Sequence, residues 1–263
     1  MERLERAFAT SGAELALVAY LTAGYPSLDE TVDFVVAACA AGADVIELGT
    51  PFSDPLGDGP VIQATTQHAL GAGASLATTL DVVAKVRATG VDVPIMLMGY
   101  CNPFLRYGLP KLFADAASVG ADGFIVPDLP ATDADDWLVE ADRHALGQVF
   151  FAAPGSSVER LQITARRCRG FLYCLADNGV TGVRDRLADG LDDYLARVRA
   201  VAGTPVAVGF GISRPEHVAA LRGKADGVIV GSALLKAIGA ADTPQARIEA
   251  TTDLIAALKE ACR

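Results

Sequence analysis

Three carboxyl side chains stand close together in the stretch Ile46 to Pro60, IELGTPFSDPLGDGP, and they occupy two kinds of chain. Glu47 lies inside an apolar run that reads as a buried strand. Asp54 and Asp58 follow in a segment dense in proline and glycine, which reads as a loop. Apolar burial disfavours a charged carboxylate, so Glu47 is expected to titrate above its ordinary range. Asp58, on the loop, is expected to stay ionised. Two carboxyls with separated pKa values suit a reaction that protonates one atom and stabilises positive charge developing at another. A structural reading fits the same residues, with Glu47 in a buried polar network and Asp58 holding a turn. Spacing alone leaves both open.

Other chemistries lack their residues. Lys85, Lys111, Lys224, Lys236 and Lys259 fall in helical patterns or in turns leading into strands, so no lysine ends a strand as a Schiff-base nucleophile would. His68, His144 and His217 also fall on helical patterns and read as surface or packing residues, and no metal site is expected. Carboxylate acid–base chemistry remains.

These residues need elements to hold them. Eight short apolar runs, at 15–23, 44–49, 93–100, 123–128, 148–154, 170–176, 205–211 and 227–232, alternate with longer helical patterns. The runs are apolar throughout, as parallel strands covered on both faces must be. In the pattern at 132–146, Thr132 or Asp133 is expected to cap a helix, with Asp135 and Asp136 favourable in its first turn. The segments AGADVIELG, VGADGFIVPD and GKADGVIVGS share Ala-Asp before a strand. A recurring helix–turn–strand unit suits a barrel better than a doubly wound sheet. The expected fold is α/β: a (β/α)8 TIM barrel with an extra N-terminal helix, forming one domain over residues 1–263.

Such barrels act at the C-terminal ends of their strands. The polar or special residues there are Tyr20, Thr22, Glu47, Asp54, Asp58, Tyr100, Asn102, Asp128, Ser156, Tyr173, Asp177, Phe210, Gly211, Gly231 and Ser232. The last two strands end in GFGIS and VGSAL, and the loop after the sixth carries NGVTG. One glycine turn does no more than reverse the chain. Two of them, where this fold keeps its anion site, point to a phosphorylated ligand held by backbone N–H groups and a helix N-terminus. Gly182, Gly211, Gly231 and Ser232 are the candidates.

Composition narrows the partners. Half of the 263 residues are hydrophobic and the net charge is −10, which is no footprint for nucleic acid or an anionic membrane. The five cysteines are odd in number and form no CxxC pair, as expected of reduced thiols in the cytoplasm. The segment MERLERAF lacks the apolar core of a secretory signal, and no run approaches a membrane span.

With these motifs in place, the sequence resembles the tryptophan synthase alpha chain family. The likeness runs through IELGTPFSDPLGDGPVIQ, YLTAGYP, MGYCNPFLRYG, GFIVPDLP, NGVTG, VGFGIS and VGSAL, in order and over nearly the whole chain. It implies a (β/α)8 barrel that cleaves indole-3-glycerol phosphate to indole and glyceraldehyde 3-phosphate, late in tryptophan biosynthesis, without metal or Schiff base. By the resemblance, Glu47 is the general acid–base and Asp58 binds the indole N–H. Thr181 would bond Asp58 when its loop closes, and Tyr173 would lie beside the glyceryl portion. Tyr20, Met98, Tyr100 and Phe210 would shape the indole pocket, with Thr22 beside them at the end of the first strand. Pro51, Asp54, Leu56, Asn102 and Pro130 would face a beta chain in an alpha-beta-beta-alpha heterotetramer. Pyridoxal phosphate would belong to that partner, and this chain would carry no cofactor. A self-sufficient indole-3-glycerol-phosphate lyase, independent of a beta chain, would share the same motifs and is the alternative. Two departures stand out. Ala176-Asp177 replaces the family's usual Ser-Arg, and Gly155 stands where threonine is common. Loop six is therefore expected to close less tightly or to be held differently, and Asp177→Arg to change turnover and its response to a beta chain.

Overall fold

The computed structural model describes residues 1–9, 14–176, 190–209 and 211–263. Its strands are β1 (Ala16–Thr22), β2 (Val45–Gly49), β3 (Ile95–Met98), β4 (Gly123–Ile125), β5 (Gly147–Ala152), β6 (Leu172–Leu175), β7 (Val206–Gly209) and β8 (Gly227–Val230). Each neighbour pair is parallel, and β8 pairs with β1 to close the barrel. The eight expected strands are all present in the expected order.

The helices described are α1 (Glu2–Phe8), α2 (Leu28–Ala40), α3 (Pro60–Gly71), α4 (Leu76–Ala88), α5 (Cys101–Tyr107) and α6 (Leu109–Ser118). They continue with α7 (Asp135–His144), α8 (Val158–Arg167), α9 (Leu191–Arg199), α10 (Pro215–Ala219), α11 (Ser232–Ala240) and α12 (Pro244–Cys262). The cap expectation for α7 fails. Residues Ala131–Asp133 after Pro130 form a 3₁₀ turn, which uses Thr132 and Asp133 and leaves Ala134 at the N-cap without a side-chain bond. Asp135 and Asp136 do occupy the first turn.

Alternation along each strand makes two cores. Outward residues such as Leu17, Ile46, Leu48, Leu97, Phe124 and Val208 pack against the helices. Inward residues Val18, Val45, Met96, Ile125, Val149, Phe171, Ala207 and Ile229 fill the barrel. The extra helix α1 drives Leu4 into the lower end of that inner core. Gly170 leaves room for it, since a Cβ there would lie 2.6 Å from Leu4 Cδ2.

The repeated Ala-Asp has a structural cause. Asp44, Asp122 and Asp226 precede β2, β4 and β8, and each carboxylate accepts the N–H of Leu17, Ile95 or Val206 on the preceding strand, at 2.7–2.8 Å. Cations complete the clamps: Lys259 on Asp44, Arg3 and Arg87 on Asp122, and Arg199 on Asp226. The repeat therefore sets strand register at the N-terminal end, away from the strand ends where a barrel acts. Among the described residues no single helix is long and apolar enough to cross a membrane.

Candidate active site

Glu47 occupies an inward position of β2, two residues above Val45, with Tyr20 of β1 and Met96 of β3 as its register partners. It is 1% exposed, and among the described residues its Oε2 has no hydrogen-bond partner. Burial, with the charge of Asp58 second, pushes its pKa up to about 8.

Asp58 reaches the same space from the loop. Pro55 O accepts from Asp58 N at 3.0 Å, closing a turn, and Gly59 and Pro60 then start α3. Gly57 N donates to Tyr100 Oη at 3.0 Å, and the Tyr100 hydroxyl in turn donates to the Asp58 carboxylate. Gln63 Nε2 holds the Asp58 carbonyl at 2.8 Å. This fold-back buries a loop acid: Asp58 is only 4% exposed. Burial raises its pKa to about 6, and the Tyr100 bond limits the rise. The expected separation of the two carboxyls survives. Near pH 7 Glu47 is mostly protonated and Asp58 mostly ionised.

Both carboxyls line a cleft at the C-terminal end of the barrel. Its walls are apolar: Ile62, Met98, Pro127, Phe151, Ile212 and Ile229, with the rings of Tyr20 and Tyr173. Phe151 lies on Tyr173 with ring centroids 4.5 Å apart. Tyr20 leans over Gly49 and Tyr173 over Gly209; a Cβ at Gly49 would collide with the Tyr20 hydroxyl, and one at Gly209 would lie 2.6 Å from Tyr173 Oη. A largely apolar cleft with two carboxyls suits an aromatic ring that carries an N–H.

The other end of the cleft holds Gly211, Gly231 and Ser232. Gly211 has φ +85°, a conformation that favours glycine. Gly231 is the N-cap of α11 and Ser232 its first residue; the first turn has no acidic residue and no side-chain cap bond. By contrast α7 and α9 each begin with two aspartates. The first amides and the dipole of α11 are thus left for an anion. Thr181, Gly182, Phe210 and Asp177 lie outside the described residues.

The remaining candidates sort by position. Thr22 and Tyr100 stand behind the cleft wall: Thr22 meets Thr65 at 2.9 Å, and Tyr100 supports Asp58. Asp54, Asn102 and Pro130 are exposed, and Leu56 is 85% exposed, an unusual position for a leucine. Pro51 is buried by the chain itself. Ala176 is buried, and Gly155 is exposed beside a turn closed by Ser156 N to Ala153 O at 2.9 Å. Lysine and histidine are absent from the described cleft wall, and no three His, Cys, Asp or Glu side chains among the described residues converge as metal ligands. The sequence reading missed Phe151, Ile229, Pro127 and Ile62. Alternation along β5 and β8 signals the first two; nothing local signals Ile62, which α3 brings in. It also passed over Ser213, whose buried Oγ has no partner among the described residues in the turn after Gly211.

The sequence pattern of the family described as "Tryptophan synthase alpha chain" matches residues 7–263. The tryptophan synthase alpha chain of Solibacter usitatus is 47% identical over 223 residues, covering 85% of this chain and 83% of that one. That of Geobacter sulfurreducens is 41% identical over 263 residues, covering 99% of each. Among solved structures, Mycobacterium tuberculosis tryptophan synthase superposes with a TM-score of 0.89 at 35% identity, covering 100% of this chain and 97% of that chain. The alpha subunit from Legionella pneumophila str. Paris gives 0.88 at 34%, covering 99% and 97%.

Proposed function

The chain belongs to the tryptophan synthase alpha chain family, the lyases that cleave indole-3-glycerol phosphate, and on that premise we propose that Glu47 and Asp58 are the pair that performs the cleavage. The observation that carries this is Glu47 itself: a buried carboxyl, pushed up to about pKa 8, with an oxygen that has no partner among the described residues, in an apolar cleft beside a second acid.

Glu47 delivers its proton to indole C3. The ring nitrogen then carries positive charge, and ionised Asp58 accepts its N–H bond and stabilises that charge. C3 becomes a leaving carbon. The hydroxyl on the adjacent glyceryl carbon gives up its proton, that carbon becomes the aldehyde, and the C–C electrons return to the ring. Indole and glyceraldehyde 3-phosphate result. If the Glu47 carboxylate takes the hydroxyl proton, the acid is restored and no net proton is consumed. Met98, Tyr20 and Tyr173 flank the ring and glyceryl portion, with Thr22 and Tyr100 supporting the pocket. Gly211, Gly231 and Ser232 hold the phosphate. The chemistry needs no cofactor on this chain; pyridoxal phosphate belongs to the beta partner.

The family works with a beta chain. We place Asp54, Leu56, Asn102 and Pro130 at that contact, with Pro51 beneath it, in an alpha-beta-beta-alpha assembly in the cytoplasm, with residues 1–263 acting as one barrel unit. Indole release from indole-3-glycerol phosphate, measured with and without a cognate beta chain, tests the whole reading. Slow release strongly accelerated by the partner is the expected result. Fast release by the chain alone makes it a self-sufficient lyase, and no release under either condition overturns the assignment.

A further inference from the structure

Tyr20 is more than an apolar wall. It is the register partner of Glu47 on β1, both side chains enter the barrel, and its ring lies over Gly49, the next inward position of β2 above Glu47. The ring thus roofs the acid. Tyr20, Glu47 and Asp58 line the same cleft. Thr22 Oγ1 donates to Tyr20 Oη at 3.4 Å, with Thr65 Oγ1 a further 2.9 Å from Thr22. That contact uses a lone pair of the phenol oxygen and leaves the phenol's own proton uncommitted.

Among the described residues the neighbouring acceptors lack a donor. Among the described residues, Glu47 Oε2 and Asp58 Oδ1 are both buried without a hydrogen-bond partner, while Tyr100 serves Asp58 alone. Buried polar atoms are rarely left so, and bonds in a catalytic cleft tighten when substrate closes it. One free donor and two orphaned carboxylate oxygens share one apolar cleft with no lysine or arginine on its described wall.

We propose that Tyr20 is a positioning residue for the acid–base pair, its hydroxyl donating to the carboxylates in their ionised forms. This inference rests on the assignment of Glu47 and Asp58 above. The titratable groups around Tyr20 are Asp58 from the loop, Glu47 from β2, Tyr100 from the end of β3 and Tyr173 from β6. Burial and these acids hold the Tyr20 phenol well above its ordinary pKa, so it stays a neutral donor across the working range.

The test is Tyr20→Phe, which keeps the ring over Gly49 and removes only the hydroxyl. A donor to an ionised carboxylate lowers its pKa, so its loss raises both values, and the whole pH profile of kcat/KM should move to higher pH by about half a unit. At pH 7 kcat should fall about tenfold, with KM nearly unchanged, since the lost bond is to a charged group rather than to substrate. Thr22→Val should shift the profile in the same direction by less. A Tyr20→Phe profile superimposable on the wild type, or a loss confined to KM, would overturn the inference. Glu47→Gln assayed in parallel separates the two claims. If that variant is active, the acid–base reading itself fails. If it is inactive while Tyr20→Phe behaves as wild type, only the role of Tyr20 fails.

Discussion

The two ends of the barrel treat a buried carboxyl in opposite ways. At the N-terminal end Asp122, 3% exposed, takes Arg3 on one oxygen and Arg87 with the Ile95 N–H on the other, at 2.7–3.0 Å. At the C-terminal end Glu47, 1% exposed, keeps an oxygen with no partner among the described residues. A buried acid with every bond made fixes strands in register. A buried acid left short of bonds is costly, its pKa rises, and it can then move a proton near neutrality. The charge is placed for structure below and for chemistry above.

Exchanging the two kinds of site should separate their effects. Glu47→Gln should lower indole formation at least about a thousandfold, yet leave stability equal or improved, because an unpaired acid is removed. Indole release and thermal melting on one preparation check both halves. Asp122→Ala should do the reverse. Leaving the Arg87 charge without a counter-ion and the Ile95 N–H unpaired should cost about 3–5 kcal/mol in denaturant unfolding, with kcat per folded molecule unchanged.

The pH dependence of stability sharpens the contrast. Glu47 has a folded pKa raised above its unfolded value, so the folded state holds the proton more tightly. Wild-type stability should therefore fall as pH rises from about 4 to about 8, through the unfolded and then the folded value. Asp58 adds to the loss up to about pH 6. Melting of Glu47→Gln should show its advantage over wild type growing across that window and levelling above it. A constant difference would mean that Glu47 titrates normally. The smallest effect belongs to the anion end. Inorganic phosphate at a hundred times its Kd should stabilise the wild type by about 2.7 kcal/mol, and Gly211→Ala, strained at φ +85°, should lose most of that gain.

Much of the barrel could be read from the chain because its causes are local. Eight apolar runs became eight strands, and the apolar run around Glu47 already marked it as buried. The burial of Asp58 was not legible. It depends on the Tyr100 hydroxyl, supplied by the far end of another strand, and on the turn from Pro55 that folds the loop back. The Ala-Asp repeat was visible but its purpose was not, since each aspartate bonds an amide on a different strand. The start of α7 was misplaced because the 3₁₀ turn after Pro130 consumed the expected caps. Ile62 carried no local sign of the cleft, which it reaches only through the placement of α3.

The central claim is that Glu47 acts as the acid and Asp58 as the anion. The pH profile of kcat/KM for indole release from indole-3-glycerol phosphate tests it most directly. A bell with limbs near pH 6 and pH 8 is the result expected from the two carboxyls. A profile flat across that range would contradict it, as would a falling limb that persists in Glu47→Gln.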